Sequence, residues 1–339
     1  MGRGLLGITL VAALLFTSHA GVAAEGRLAP VFLVGRPNIV VVMVDDLDVA
    51  SLKRMLATPS DVPGRDSMMH HLKRSITDVG FELTNAFVTN SVCCPSRATF
   101  LTGKYSHNHG VLTNWRPTGG VTLLDDSSTL ATWLRAAGYR TGYVGKYLNG
   151  YGSWNDSHAS YRPGTAAPDR RLEPTYVPPG WDRWWGLIDP FTYLMYGYRI
   201  NENGVERRYG TEAAVYQTDT LAQHARTFIG ESLASAGNQP FFLLVTPLAP
   251  HIDTSTISSV TSYKDVWRWT VPPAPRHVGT VPVSGTPEYE SKPSFNETDL
   301  TDKPFTRPLL DDMDRAALRK QYQDRLESLR AVDDLIGTL

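Results

Sequence analysis

The chain has 339 residues, 42% of them hydrophobic and 20% charged, with 33 Lys and Arg against 34 Asp and Glu for a formal net charge of -1. That balance gives ample material for a core and describes an ordinary globular protein, and it excludes a strongly basic nucleic-acid surface. Only two cysteines are present, so a disulfide framework is excluded and stability has to come from packing.

The N-terminus reads as a targeting segment over residues 1–24. Arg3 supplies a positive start, Leu5 to Phe16 is an apolar run too short to cross a bilayer comfortably, and small residues follow at Ser18-His19-Ala20 and Val22-Ala23-Ala24. A secretory signal cleaved after Ala24, or after Ala20, predicts an extracytoplasmic chain, in a periplasm, outside the cell or in a lysosome-like compartment according to the host. A retained anchor is the alternative, but no stop-transfer pattern follows, which argues against stable membrane insertion.

From Pro37 onward strands alternate with helices. Ile39 to Val44 is a β-branched run bounded by Pro37-Asn38 and by acids, the pattern of a central parallel strand buried on both faces. Residues 67–79 predict a helix and Phe81 to Val88 a strand. Ser127-Ser128 predict the cap of a helix with Leu130, Trp133, Leu134 and Ala137 on one face and Gly138 at its end. A strand follows at Arg140 to Val144. Leu221, Ala225, Phe228 and Ile229 mark an amphipathic helix that leads into the apolar strand Phe241 to Val245. This alternation predicts an α/β fold with a mostly parallel central sheet flanked by helices.

Between His251 and Asp312 periodicity is lost and proline is frequent, which predicts loops draped over the substrate face; Tyr263, Trp267, Trp269 and Tyr289 argue against a disordered linker. Tyr322, Leu326, Leu329, Val332, Ile336 and Leu339 then form an apolar face at helical spacing.

Active sites of open parallel sheets lie beyond the carboxyl ends of the strands. Asp45-Asp46 stands there, directly after the first strand. Two adjacent carboxylates are costly to hold together unless a cation neutralises them, and oxygen ligands suit Ca2+ or Mg2+; a solvated helix cap is the plain alternative. Cys93-Cys94, taken alone, reads as two small buried residues or a vicinal disulfide. The longer stretch Cys93-Cys94-Pro95-Ser96-Arg97, followed by Thr102-Gly103-Lys104, fits C-x-P-S-R with T-G-[RK], and on these residues the chain resembles the sulfatases.

The resemblance implies an alkaline-phosphatase-like fold and hydrolysis of sulfate esters. A maturation enzyme would oxidise Cys93 to formylglycine, whose hydrated form carries the hydroxyl that attacks sulfur. By the same resemblance Asp45, Asp46 and the modified Cys93 are metal ligands, Arg97 steadies the formylglycine, Lys146 holds the sulfate, and His251 lies near the leaving oxygen. Lys104 and His109 are the weaker substrate-binding candidates: Lys104 equally supports a turn, and for His107 and His109 a surface position after a helix is the commoner case. Many sulfatases read G-K-x-H at the lysine, whereas Leu148 stands two residues after Lys146 here.

Thr102 to His109, Gly145-Lys146-Tyr147-Leu148-Asn149 and Val177-Pro178-Pro179-Gly180-Trp181 resemble the N-acetylglucosamine-6-sulfatases and extracellular heparan 6-sulfatases. The implied substrate is a 6-O-sulfated glucosamine, with a broad arylsulfatase as the alternative. Asn155-Asp156-Ser157 and Asn296-Glu297-Thr298 are glycosylation sequons. The resemblance runs over residues 37–339 and predicts a catalytic domain incomplete at its C-terminal end. The family's Asp-Asn pair, a further lysine and a smaller subdomain follow the helix that here reaches Leu339. A glycan-binding relative without turnover is therefore a second expectation, and phosphate-ester chemistry is disfavoured because phosphatases of the wider superfamily use serine or threonine where Cys93 stands.

Overall fold

The computed structural model describes residues 35–153, 169–235, 239–254, 270–282, 287–303 and 308–339. The signal segment, the Asn155 sequon, Tyr263, Trp267 and Trp269 lie outside them. The body of the fold is Pro37–Leu339.

Six strands form one sheet: β1 (Ile39–Val42), β2 (Arg140–Gly145), β3 (Arg183–Leu187), β4 (Arg199–Glu202), β5 (Val205–Arg208) and β6 (Phe241–Thr246), in the order β1-β6-β2-β3-β4-β5. The ladders from β1 through β6 and β2 to β3 are parallel, and β3-β4 and β4-β5 are antiparallel. The helices are α1 (Val49–Ala57), α2 (His70–Leu72), α3 (Cys93–Thr102), α4 (Ser106–His109), α5 (Leu130–Ala136), α6 (Gln217–Ala234) and α7 (Asp312–Thr338).

β6 explains why the sheet needs helices on both faces, because all of its residues are buried. Phe242 and Leu244 join a layer with Cys94 and Ala98 of α3, Ala131 of α5, Tyr143 and Trp184. Phe241, Leu243 and Val245 join a second layer with Leu221, Ala225 and Phe228 of α6 and Leu335 of α7. Each buried Phe, Leu or Val among them contributes about 2 kcal/mol by leaving water. A third cluster packs Leu326, Leu329 and Val332 of α7 over Met55, Met69 and Leu248.

Several expectations are corrected. Among the described residues β1 pairs with β6, and Val40 is 41% exposed. A β-branched run specifies a strand, but its lateral place depends on strands that come later in the chain. Phe81 to Val88 forms no strand; Phe81 is 88% and Phe87 91% exposed, with no ladder partner among the described residues. The helix expected over 67–79 is shorter, one α turn running into a π turn at Lys73–Thr77. Its free backbone N–H groups at His71 and Leu72 are taken by the Asp333 carboxylate of α7 at 3.0 and 2.8 Å.

The cap of α5 is Thr129, whose N–H donates to the Thr132 hydroxyl at 2.9 Å, while Ser128 instead accepts from the Trp133 indole, leaving that ring 45% exposed. The described parts of the 251–312 region pack along α7, where Tyr289 meets Tyr322 at 5.2 Å and Arg276 and His277 bind Asp334.

Candidate active site

Register brings three strand ends together. The Met43 N–H donates to the Val245 carbonyl and the Lys146 N–H to the Thr246 carbonyl, so the segments leaving β1, β2 and β6 exit side by side at their carboxyl ends. They carry Asp45, Lys146 and His251. Gly145 makes the close approach possible: its φ is +119°, and a Cβ there would sit 2.2 Å from the Thr246 carbonyl oxygen.

Asp45 is buried and holds two cations, with Oδ1 3.1 Å from Arg97 Nη2 and Oδ2 2.5 Å from Lys146 Nζ. Burial raises its pKa, but the Lys146 and Arg97 charges outweigh burial and hold the carboxyl well below the ordinary range. Burial works against the Lys146 ammonium too, and the Asp45 carboxylate overcomes it, keeping the lysine charged. The Lys146 carbonyl is gripped in turn by Arg97 Nη1 at 2.6 Å, by Thr246 Oγ1 at 2.8 Å and by the Tyr143 hydroxyl.

Cys93 is the first residue of α3, which places its side chain at the helix end that favours negative charge. Its Sγ lies 3.4 Å from Lys146 Nζ. Burial pushes the thiol pKa up despite the attraction of Lys146. Both cysteines are free, and they diverge. Cys94 turns into the core, where its sulfur accepts the Asn149 N–H at 3.1 Å and burial pushes the thiol up to about 12. Neither the vicinal disulfide nor a simple buried pair describes them.

Asp46 adopts a left-handed φ of 56° and is half exposed, with Oδ2 3.5 Å from His251 Nε2. The Ile252 carbonyl, 2.8 Å from Nδ1, fixes Nδ1 as the donor, so Nε2 presents a lone pair. Burial and the Lys146 charge lower the His251 pKa, which favours the neutral ring. Two acceptors, Nε2 and the Asp46 carboxylate, therefore face each other, an arrangement that a cation relieves. Asp45, Cys93 and His251 each offer one ligand atom, all within 4.8 Å of one another. A cavity of about 220 Å3 opens here, lined by Asp45, Asp46, Val92, Cys93, Ser96 and Arg97.

The fold thus brings together Asp45, Asp46, Cys93, Arg97, Lys146 and His251. It does not bring Lys104 or His109 to them. Lys104 is exposed past Gly103, at the opposite end of α3 from Cys93, about 15 Å along the helix. His109 accepts the Val111 N–H on Nδ1 and meets Thr99 Oγ1 through Nε2, both at 3.1 Å, so it pins α4 against α3.

Two neighbours went unread in the sequence. Tyr193 sets its ring 4.7 Å from Lys146 Nζ and 5.2 Å from the His251 ring. Arg325 of α7 donates to the Asp46 carbonyl at 2.6 Å and to the Pro250 carbonyl at 3.1 Å, tying together the two loops that carry Asp46 and His251. Tyr193 follows the carboxyl end of β3, which could have pointed to it; nothing at the Arg325 position marks its role.

The sulfatase family profile matches residues 37–339. An arylsulfatase of Volvox carteri is 32% identical over 314 residues, covering 89% of this chain and 43% of that protein. Human N-acetylglucosamine-6-sulfatase is 29% identical over 336 residues, covering 94% of this chain and 49% of that protein. The chain therefore spans less than half the length of these relatives. A solved structure in complex with its substrate D-glucosamine-2-N,6-O-disulfate superposes with a TM-score of 0.55 at 20% identity, over 89% of this chain and 61% of that one, which shows the shared fold. With the family profile matched from Pro37 to the last residue, the chain belongs to the sulfatase family.

Proposed function

We propose that this chain carries the nucleophile-bearing part of a sulfate-ester hydrolase acting on 6-O-sulfated N-acetylglucosamine or a related glycan, outside the cytoplasm. The observation that carries the reading is the position of the Cys93 side chain, at the start of α3 and 3.4 Å from the buried Lys146 ammonium, beside Asp45 and His251. The relatives named N-acetylglucosamine-6-sulfatase and extracellular sulfatase support the substrate class and the compartment. No helix among the described residues is long and apolar enough to cross a membrane.

Formylglycine, made from Cys93 by a maturation enzyme, would supply a hydrated aldehyde with one hydroxyl as nucleophile toward sulfur and a second whose proton is lost as sulfate leaves and the aldehyde re-forms. Lys146 and Arg97 hold fixed positive charge around that position, so the sulfuryl oxygens meet cations that need no reorganisation. His251, with Nδ1 committed to the Ile252 carbonyl, relays through Nε2 the proton released by the attacking hydroxyl to the departing alcohol oxygen. A divalent cation fits the carboxylates of Asp45 and Asp46, which line one cavity with Cys93. Asp45, Asp46 and the oxygen at position 93 would hold Ca2+ or Mg2+, which would supply positive charge for the developing anion.

The test is turnover of an aryl sulfate and of N-acetylglucosamine 6-sulfate by protein with verified formylglycine, with Cys93→Ala as control. Hydrolysis of the sugar sulfate, abolished in the control, supports the proposal. Aryl sulfate turnover alone narrows it to a broad arylsulfatase, and no hydrolysis of either ester sinks it.

A further inference from the structure

We propose that the Tyr193 hydroxyl donates a hydrogen bond to the sulfuryl group held beside Lys146, which makes Tyr193 a substrate-binding residue of this site. The inference rests on the sulfate-ester reading above. Tyr193 closes a short 3-10 turn, Phe191–Tyr193, beyond the carboxyl end of β3. Its backbone carbonyl accepts the Thr254 N–H at 2.9 Å, which anchors the turn to the segment following His251. The phenol oxygen is buried and has no hydrogen-bond partner among the described residues. Such a group costs free energy in the resting protein, and in a native fold it calls for an outside partner.

Its surroundings say what that partner is. The ring lies 4.7 Å from Lys146 Nζ and 5.2 Å from the His251 ring, so the orphan hydroxyl belongs to the side-chain cluster that holds Lys146 and His251. A sulfuryl group offers only acceptors, and Lys146 supplies its charge. A neutral phenol adds a directional donor without another ion to desolvate, and burial, which raises the Tyr193 pKa, keeps it protonated.

Tyr193→Phe keeps the ring on Lys146 and His251 and removes only the hydroxyl. In formylglycine-bearing protein we expect affinity for inorganic sulfate, measured by calorimetry, to fall about 10-fold or more, and kcat/KM for an aryl sulfate to fall about 10- to 100-fold. The melting temperature without sulfate should stay equal or rise, since an unpaired buried hydroxyl has been removed. Unchanged sulfate affinity and kcat/KM would overturn the proposal. So would a variant that melts well below wild type, which would show the hydroxyl partnered within the fold, or a wild type that binds no sulfate. Wild type that hydrolyses no sulfate ester, yet binds sulfate through this hydroxyl, would sink the sulfatase reading and leave this inference standing; turnover indifferent to the substitution would do the reverse.

Discussion

Asp45 is a buried carboxylate between two buried cations, and most of the site's electrostatics follow from it. Removing one member of such a set leaves a charge without its partner in a poorly solvated place. Lys146→Met should cost about 3 kcal/mol in chemical denaturation, and Asp45→Asn a similar amount because Lys146 and Arg97 would then repel each other. The double variant should lose clearly less than the sum of the two; a strictly additive result would show that the contact does not hold the site together. Cys93 and Cys94 make the complementary point about geometry. They are adjacent in sequence but face the site and the core respectively, so Cys94 cannot stand in for Cys93, and Cys94→Ala should keep turnover while Cys93→Ala removes it.

Each strand delivers its site residue through a local device. At the end of β2 the device is Gly145, where a Cβ would collide with the Thr246 carbonyl of β6. Gly145→Ala should therefore force the strand ends apart, lower stability by roughly 2–3 kcal/mol and displace Lys146; a thermal melt matching wild type, with turnover intact, would contradict this. α7 contributes twice. Its Arg325 clamps the carbonyls of Asp46 and Pro250, so Arg325→Met should reduce kcat/KM more than it reduces stability, with partial recovery in Arg325→Lys.

Further along the helix, Asp334 is met by His277 and Arg276. Burial raises its pKa, but hydrogen bonds from these two partners win and hold it at about 2. Because the folded pKa lies below the unfolded one, the stabilisation is present above about pH 4 and is lost as pH falls from there toward the folded value. Wild type should accordingly lose about 2 kcal/mol over that window that Asp334→Asn does not lose, as read by urea denaturation at stepped pH.

At the scale of the whole molecule, the site exists because three parallel strands end together. Those strands were the legible ones. Runs such as Ile39 to Val44 and Phe241 to Val245 stand out because buried parallel strands are apolar throughout, and each is followed by polar residues that topology places at the site. What the sequence did not disclose was lateral order: β6, far later in the chain, inserts between β1 and β2.

The antiparallel flank was missed although Asn203-Gly204, both at positive φ, is a strong signal for the β4-β5 hairpin. Charged residues such as Arg199, Glu202 and Arg207 masked the strands on either side. His109 packs on Thr99 of α3, and the sequence does not say which side of α3 the following turn will cover. Tyr193 carries no spacing signature; its place beyond the carboxyl end of β3 is the one hint in the sequence, and its proximity to Lys146 singles it out.

The central claim is that the side chain at position 93, converted to formylglycine, is the nucleophile of a sulfate-ester hydrolase. The most direct measurement prepares the protein at several degrees of conversion, quantifies formylglycine at position 93 by peptide mass spectrometry, and plots the rate of sulfate release against the converted fraction. The account predicts a straight line through the origin, with Cys93→Ala at zero. Turnover that is independent of conversion, or that persists in Cys93→Ala, would contradict it.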